Sequence, residues 1–298
     1  GEWMKDKRNG RGTYLYANGS VYTGNWVDNN INGKGKFDWS YGAHYRGEFS
    51  RNCKHGRGIF IWPNGNTYKG MFDREKPSGP GQMDYATGHK YVGMWANNMK
   101  HGKGTFTYVN GAVYSGDWVE DSRHGTGKLT FLPGTFMEEY YDGEWYDDEK
   151  HGKGTYSFRK DEGTVYTGDW SHGRREGVGK LSYLDGSYYR GDFVEERMQG
   201  RGVFVGKDGS QYEGEWHLNM RQGVGTLLSA DGCIYHGHFH NNMKDGKGRL
   251  QYADGNIFEG VWEGNVVRGD TMSAKYTMVL GATSRGGPEE VTVKCFPY

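Results

Sequence analysis

One short phrase constrains this chain more than any other feature. Tyr-x-Gly-x-Trp/Phe begins at Tyr22, Tyr45, Tyr68, Tyr91 and Tyr114, each 23 residues after the last. It returns at Tyr141 and Tyr166 after spacings of 27 and 25, and spacing 23 resumes at Tyr189, Tyr212, Tyr235 and Phe258. Seven residues after the Trp or Phe of a full unit comes Gly-x-Gly, as at Gly33 and Gly35, Gly56 and Gly58, Gly102 and Gly104, and Gly223 and Gly225. Asn-Gly or Asp-Gly commonly closes the unit, as at Asn18-Gly19, Asn64-Gly65, Asn110-Gly111, Asp185-Gly186 and Asp254-Gly255. Self-similarity at one period means a repeat array whose units bury their faces on their neighbours. No linker divides it.

Each unit reads as a β-hairpin. Alternation places Tyr114, Gly116 and Trp118 on one face of a strand. Gly102, Gly104, Phe106 and Tyr108 share a face of the next, with Lys103, Thr105 and Thr107 on the other. Asn110-Gly111 is a strong signal for a two-residue type I′ turn, which needs positive φ at both residues. Val119 to His124 then reads as a longer polar loop, and the whole as an antiparallel meander. Glycine inside a strand costs about 0.5–1 kcal/mol relative to alanine. A ring lying over bare backbone buries about 150–250 Å², an upper-bound gain of several kcal/mol at roughly 25 cal/mol/Å². The rings win, and glycine is the notch that lets them lie down.

Composition agrees. The 298 residues include 52 glycines, 23 tyrosines, 13 phenylalanines and 10 tryptophans, yet only 34% are hydrophobic. Aromatic weight without aliphatic weight suits thin, sheet-like packing. The 37 acids balance 37 bases, so the overall charge offers no footprint for nucleic acid. Cys53, Cys233 and Cys295 form no CxxC pair, which reads as free thiols in a reducing compartment. No secretory signal and no apolar run of about 20 residues is present. The chain reads as soluble and cytosolic.

These phrases resemble the MORN repeat (membrane occupation and recognition nexus), over residues 1 to about 264. The resemblance implies an all-β, elongated, twisted, single-layer antiparallel meander of hairpins with an aromatic groove. With roughly 23 strands about 4.8 Å apart, its length would be on the order of 110 Å. The expected organisation is a repeat array over 1–264, irregular at 128–166, and a C-terminal cap or partner-ordered tail over 265–298. The groove residues expected to meet a partner are Tyr22, Trp26, Trp39, Tyr45, Trp62, Tyr68, Tyr91, Trp95, Tyr108, Tyr114, Trp118, Tyr141, Trp145, Tyr166, Trp170, Tyr189, Tyr212 and Trp216.

Departures from the pattern carry information. The chain opens at Gly1-Glu2-Trp3, inside a phrase whose Tyr is missing, so the sequence reads as an excerpt of a longer array. LPGTFMEEYY at 132–141 and RKDEG at 159–163 carry the extra residues, and suggest a bend, a bulge or a docking point. In the second-strand ring series Tyr183 is followed by Gly206 and Ser229 before Tyr252, which predicts a shallow depression. After Trp262 the phrase fails: Gly269 is kept, but Thr271 replaces the second glycine. Tyr276–Leu280 and Val291–Phe296 read as strands around a Gly-rich turn.

Candidate chemistry is sparse. His55, His101, His124 and His151 recur before Gly-x-Gly, as turn constituents do. His236, His238 and His240 alternate along one strand, about 7 Å apart, too far to chelate one ion readily. Gly-x-Gly is not followed by a helix, so it is no dinucleotide site. No cofactor, metal or catalytic residue is expected. Lys54, Arg57, Lys100, Lys103, Lys150, Lys153, Lys244 and Lys247 gather on one edge, where they could meet anionic lipid, but Asp121, Asp147, Asp148 and Glu149 share it.

The expected function is therefore a non-catalytic scaffold for protein partners in a cytoskeletal assembly. Its resemblance to axonemal radial-spoke-head proteins places it in cytoplasm, in a cilium or flagellum. The alternatives are a regulatory array of a larger phosphatidylinositol-phosphate kinase or SET-domain methyltransferase, and a lipid-binding membrane-surface adaptor. An unpaired edge strand at Gly1 predicts continuation or homo-oligomerisation.

Overall fold

Why a strand would spend two glycines two residues apart is answered by one hairpin and its neighbour. In the computed structural model, which describes residues 1–268, 275–280 and 289–294, strand Lys90–Ala96 pairs antiparallel with Met99–Thr107, and that with Val113–Val119. Tyr91 faces Phe106 and Gly93 faces Gly104, after which the ladder jumps to Met94↔His101 and leaves Gly102 and Lys103 over. Gly102 sits in this bulge at φ +60°, a left-handed conformation that side chains resist. Gly104 has no such backbone requirement, but a Cβ there would collide with the Tyr91 ring and hydroxyl. The first glycine turns the chain and the second makes room. Gly102 therefore does not continue the alternation expected of it, and Lys100 arrives on the ring face.

The bulge leaves a carbonyl that the tyrosine satisfies. Tyr91 Oη donates to the Met94 carbonyl at 3.0 Å, three residues along its own strand. Trp95 and Trp118 flank the Tyr91 ring edge-on at 5.2 and 5.4 Å. Trp118 Nε1 donates to the Gly104 carbonyl at 3.1 Å. One ring thus joins two strands of its own repeat to the first strand of the next.

The two connections are exchanged relative to the sequence expectation. Glu120-Asp121, with φ of +47° and +73°, is the two-residue turn. Tyr108–Ala112 is the longer loop, closed by Gly111 N–H to the Tyr108 carbonyl at 2.9 Å and Tyr108 N–H to the Ala112 carbonyl at 2.8 Å. There only Gly111 has positive φ, at +85°, which makes a type I turn followed by a glycine bulge. Asn110 accepts the Ala112 N–H at 3.1 Å and so stabilises this loop. The left-handed pair without glycine is offset by the preceding repeat. Lys100 N–H donates to Asp121 Oδ1 at 2.9 Å, while Asp121 N–H donates to the Lys100 carbonyl at 3.1 Å.

By its contacts the chain divides into two units, Gly1–Lys150 and His151–Tyr298. In the first, a short hairpin, Trp3–Met4 with Lys7–Arg8, precedes strand Gly10–Leu15, which pairs with Val21–Val27. The meander then continues strand by strand to Ser122–Phe131 and Glu139–Tyr146. The extra residues at 132–141 enlarge the loop before Glu139. In the second unit the same pairing runs from Gly152↔Trp170 to Gly246↔Trp262, the extra residues at 159–163 lying in the loop before Val165. Strands Lys275–Leu280 and Glu289–Lys294 pair with each other, and Tyr276 faces Phe258. The expectations for Gly269, Thr271 and the Gly-rich turn, and for Cys295 and Phe296, lie outside the described residues. In both units the fold is all-β and antiparallel, as expected.

The notch makes a test. Gly104→Val is expected to lower stability by about 3 kcal/mol or more through overpacking, whereas Thr105→Val, on the opposite face, should stay within about 0.5 kcal/mol. Thermal and urea denaturation of the two variants compare them directly; equal losses would refute the notch.

Candidate partner-binding surface

The expected groove residues fall into two classes. Tyr22, Tyr45, Tyr68, Tyr91, Tyr114, Tyr141, Tyr166, Tyr189 and Tyr212 are 0–1% exposed, and Trp26, Trp95, Trp118, Trp145, Trp170 and Trp216 are buried beside them. In the first unit they form a run of edge-on contacts from Trp26 through Tyr22, Phe49, Tyr45, Phe72, Tyr68, Trp95, Tyr91, Trp118 and Tyr114 to Trp145 and Tyr141. In the second they run from Trp170 and Tyr166 through Phe193, Tyr189, Trp216, Tyr212, Phe239 and Tyr235 to Trp262. Among the described residues these rings are the core on one face of each unit's sheet. They present almost nothing to a partner.

Trp39, Trp62 and Tyr108 are different: each begins a loop closed by a glycine N–H to its own carbonyl and is only half-buried. Trp39 stacks on Phe37 at 4.4 Å and Trp62 meets Phe60 at 4.5 Å. Tyr108 meets Phe106 at 4.7 Å. Tyr16, Tyr85, Phe158 and Tyr183 occupy the same place in their repeats and were not among the expected site residues. The surface available to a partner is this upper row, standing on a floor of buried rings.

A row of cations completes the face. Five residues after the ring that ends each phrase come Lys54, Lys100, Arg123 and Arg175, with side chains mostly covered. Lys54 Nζ lies 4.7 Å from the Phe60 ring centre, Lys100 Nζ 4.9 Å from Trp118, and the Arg123 guanidinium 4.2 Å from Trp145. Each then pairs with an acid in the next two-residue turn: Glu75 at 2.8 Å, Asp121 at 3.4 Å, Asp148 at 2.8 Å and, for Arg175, Glu196 at 2.6 Å. The recurrence of a base after the ring and an acid 21 residues later (25 for Arg123 and Asp148, across the longer repeat) was the available signal. The bases therefore do not make the single edge the sequence suggested. Lys54 and Lys100 lie on the rings, whereas Lys103 pairs with Asp117 across the ladder, on the other face, at 2.8 Å.

His236, His238 and His240 project from the face opposite Tyr235 and Phe239, and each has its own partner: Thr226 Oγ1 at 2.9 Å, the Lys247 carbonyl at 3.1 Å and Gln222 Nε2 at 3.0 Å. Among the described residues no group of three or more His, Cys, Asp or Glu side chains is placed to hold a metal ion. Cys53 and Cys233 are free thiols.

Burial pushes the core tyrosines up: Tyr22, Tyr68, Tyr212 and Tyr235 to about 12, and Tyr91, Tyr114 and Tyr189 upward as well. A raised folded-state value means stability is fully present below the unfolded value near 10 and is lost as pH rises toward 12. Each such tyrosine lowers stability by about 1.4 kcal/mol per pH unit in that window. Alkaline titration should thus show unfolding by circular dichroism coincident with cooperative tyrosinate absorbance above pH 10. Independent, non-cooperative ionisation of all tyrosines would contradict a buried row.

A family model described as "MORN repeat" matches residues 1–21, 22–42, 45–67, 68–90, 91–113, 114–136, 141–161, 166–188, 189–211, 212–234 and 235–257. No curated protein sequence matches the chain. Similar solved structures include the wild-type TCP10 domain of Danio rerio CPAP, at 13% identity, 86% coverage of this chain, 97% of that chain and a TM-score of 0.23. Another is the TCP10c domain of Drosophila melanogaster Sas-4, at 14% identity, 62% and 93% coverage and a TM-score of 0.25.

Proposed function

Since the chain belongs to the MORN-repeat family, we propose that it is a non-catalytic scaffold holding protein partners along its ring-bearing face. Its setting in this reading is a cytoskeletal assembly, the axoneme of a cilium or flagellum, as for the radial-spoke-head proteins it resembles. The observation that carries the reading is the division of labour among the rings. The buried row serves the sheet alone, while Trp39, Trp62 and Tyr108 add half-exposed aromatic surface that the fold does not consume. Such rings, rigidly backed and already ordered, lose little entropy on binding.

A membrane surface finds less to attract it. Lys54 and Lys100 are engaged with rings and acids, and Lys103 with Asp117, so the juxtaposed charge that draws anionic lipid is locally neutralised.

The test compares the whole chain with a Trp39→Ser/Trp62→Ser/Tyr108→Ser variant as capture reagents in extract from ciliated cells. Axonemal subunits should be retained by the first and fall at least tenfold on the second, with both proteins folded by circular dichroism. Equal retention would overturn the ring row as the binding surface, and a catch without cytoskeletal subunits would overturn the setting.

A further inference from the structure

Two successive repeats in the second unit break the pattern of the ring face twice over. Arg221 and Lys244 occupy the slot that Lys54 and Arg175 fill, five residues after Trp216 and Phe239. The Arg221 guanidinium lies 5.5 Å from Tyr212 and 5.6 Å from Phe239, and Lys244 Nζ lies 4.9 Å from Tyr235. Where Lys54 meets Glu75 and Arg175 meets Glu196, the residues 21 positions on are Asn242 and Asn265. Their side-chain amide oxygens take the backbone N–H of Arg221, at 2.8 Å, and of Lys244, at 2.7 Å, and the Arg221 guanidinium meets only the neutral Asn242 backbone carbonyl, at 2.9 Å.

The ring beside the cation is missing too. Lys54 has Trp39 at 5.4 Å and Arg175 has Phe158 at 5.9 Å. The matching positions beside Arg221 and Lys244 hold Gly206 and Ser229, whose loops close with the same hydrogen bonds as that of Tyr108. Among the described residues no carboxylate lies within 4 Å of either cation. Asp231, the carboxylate that acts on Lys244, is held by the Cys233 N–H at 3.0 Å. Burial pushes both cations below their usual values. Arg221 therefore carries a desolvation cost that no internal acid offsets, and Lys244 one that Asp231 offsets only in part.

We propose that this gap binds an acidic, extended segment of a protein partner, whose carboxylates replace the missing Glu75-type acids and whose apolar side chain fills the missing ring position. The proposal rests on the partner-binding reading above and adds the chemistry of what is bound. Arg221 and Lys244 stand one repeat apart, two strands or about 10 Å. A segment in the extended polyproline II conformation advances about 3.1 Å per residue with three residues per turn, so carboxylates three residues apart face the same way and match them.

The probes are a fluorescein-labelled peptide containing Glu-Phe-Leu-Glu and its Gln-Phe-Leu-Gln counterpart, titrated against the whole chain by fluorescence anisotropy at low and physiological salt. The Glu peptide is expected to bind at least tenfold tighter. That preference should vanish in Arg221→Gln/Lys244→Gln. It should vanish as well in Asn242→Glu/Asn265→Glu, which supplies carboxylates internally at a turn position where Glu75 and Glu196 already stand at φ 77° and 74°; this variant should also melt higher. Absence of binding, equal binding of the two peptides, or a Glu preference that survives in the Asn→Glu variant would overturn the proposal. None of these results touches the capture by Trp39, Trp62 and Tyr108, which decides the broader reading by itself.

Discussion

Everything in this fold depends on a tyrosine ring lying across bare backbone. The ring covers its own strand's glycine and the second glycine of the next Gly-x-Gly, as Tyr91 covers Gly93 and Gly104. Its hydroxyl repairs the carbonyl that the bulge strands, and its two flanking rings meet it edge-on, the favoured geometry for aromatic quadrupoles. No other arrangement in the chain does so much with one side chain. Among the described residues this row is what excludes water from one side of each unit's sheet. At Phe258 the ring persists over Gly260 without a hydroxyl, which marks the last repeat as the least completed.

Much of this could be read from the residues. The period, the hairpins and the glycine notch follow from spacing and alternation, because they are local and each is repeated many times. What resisted reading is non-local. Whether Glu120-Asp121 can be left-handed depends on Lys100, one repeat earlier, and no rule about short turns contains that partner. The same distance hid the cations: Lys100 looks like an edge charge until the bulge at Gly102 rotates it onto the rings. The site was half legible for a related reason. Aromatic residues were correctly assigned to one face, but period alone cannot separate the Tyr22-type rings, which the repeat itself covers, from the Trp39-type rings at the loop start.

The division between buried and half-exposed rings also explains how a repeat can vary without collapsing. The buried positions alternate only between rings, Trp and Phe, with Phe49, Phe72, Phe193 and Phe239 forgoing the indole hydrogen bond. The loop-start position accepts Trp39, Tyr108, Gly206 and Ser229 alike. Stability is held in one row, so the other is free to differ from repeat to repeat and give each stretch of the face its own chemistry.

Within each unit, the close contacts of inner hairpins, among the described residues, are with the hairpins beside them. Cohesion is therefore a sum of neighbouring links with no central knot to lose. Under tension applied at one end, the outermost repeat can peel while the next stays intact. Release of a regular repeat frees 23 residues, roughly 75–80 Å of chain at about 3.3–3.5 Å per residue, where two sheet strands occupied about 10 Å. Such a sheet is expected to come apart repeat by repeat, each neighbour link failing on its own, instead of all at once.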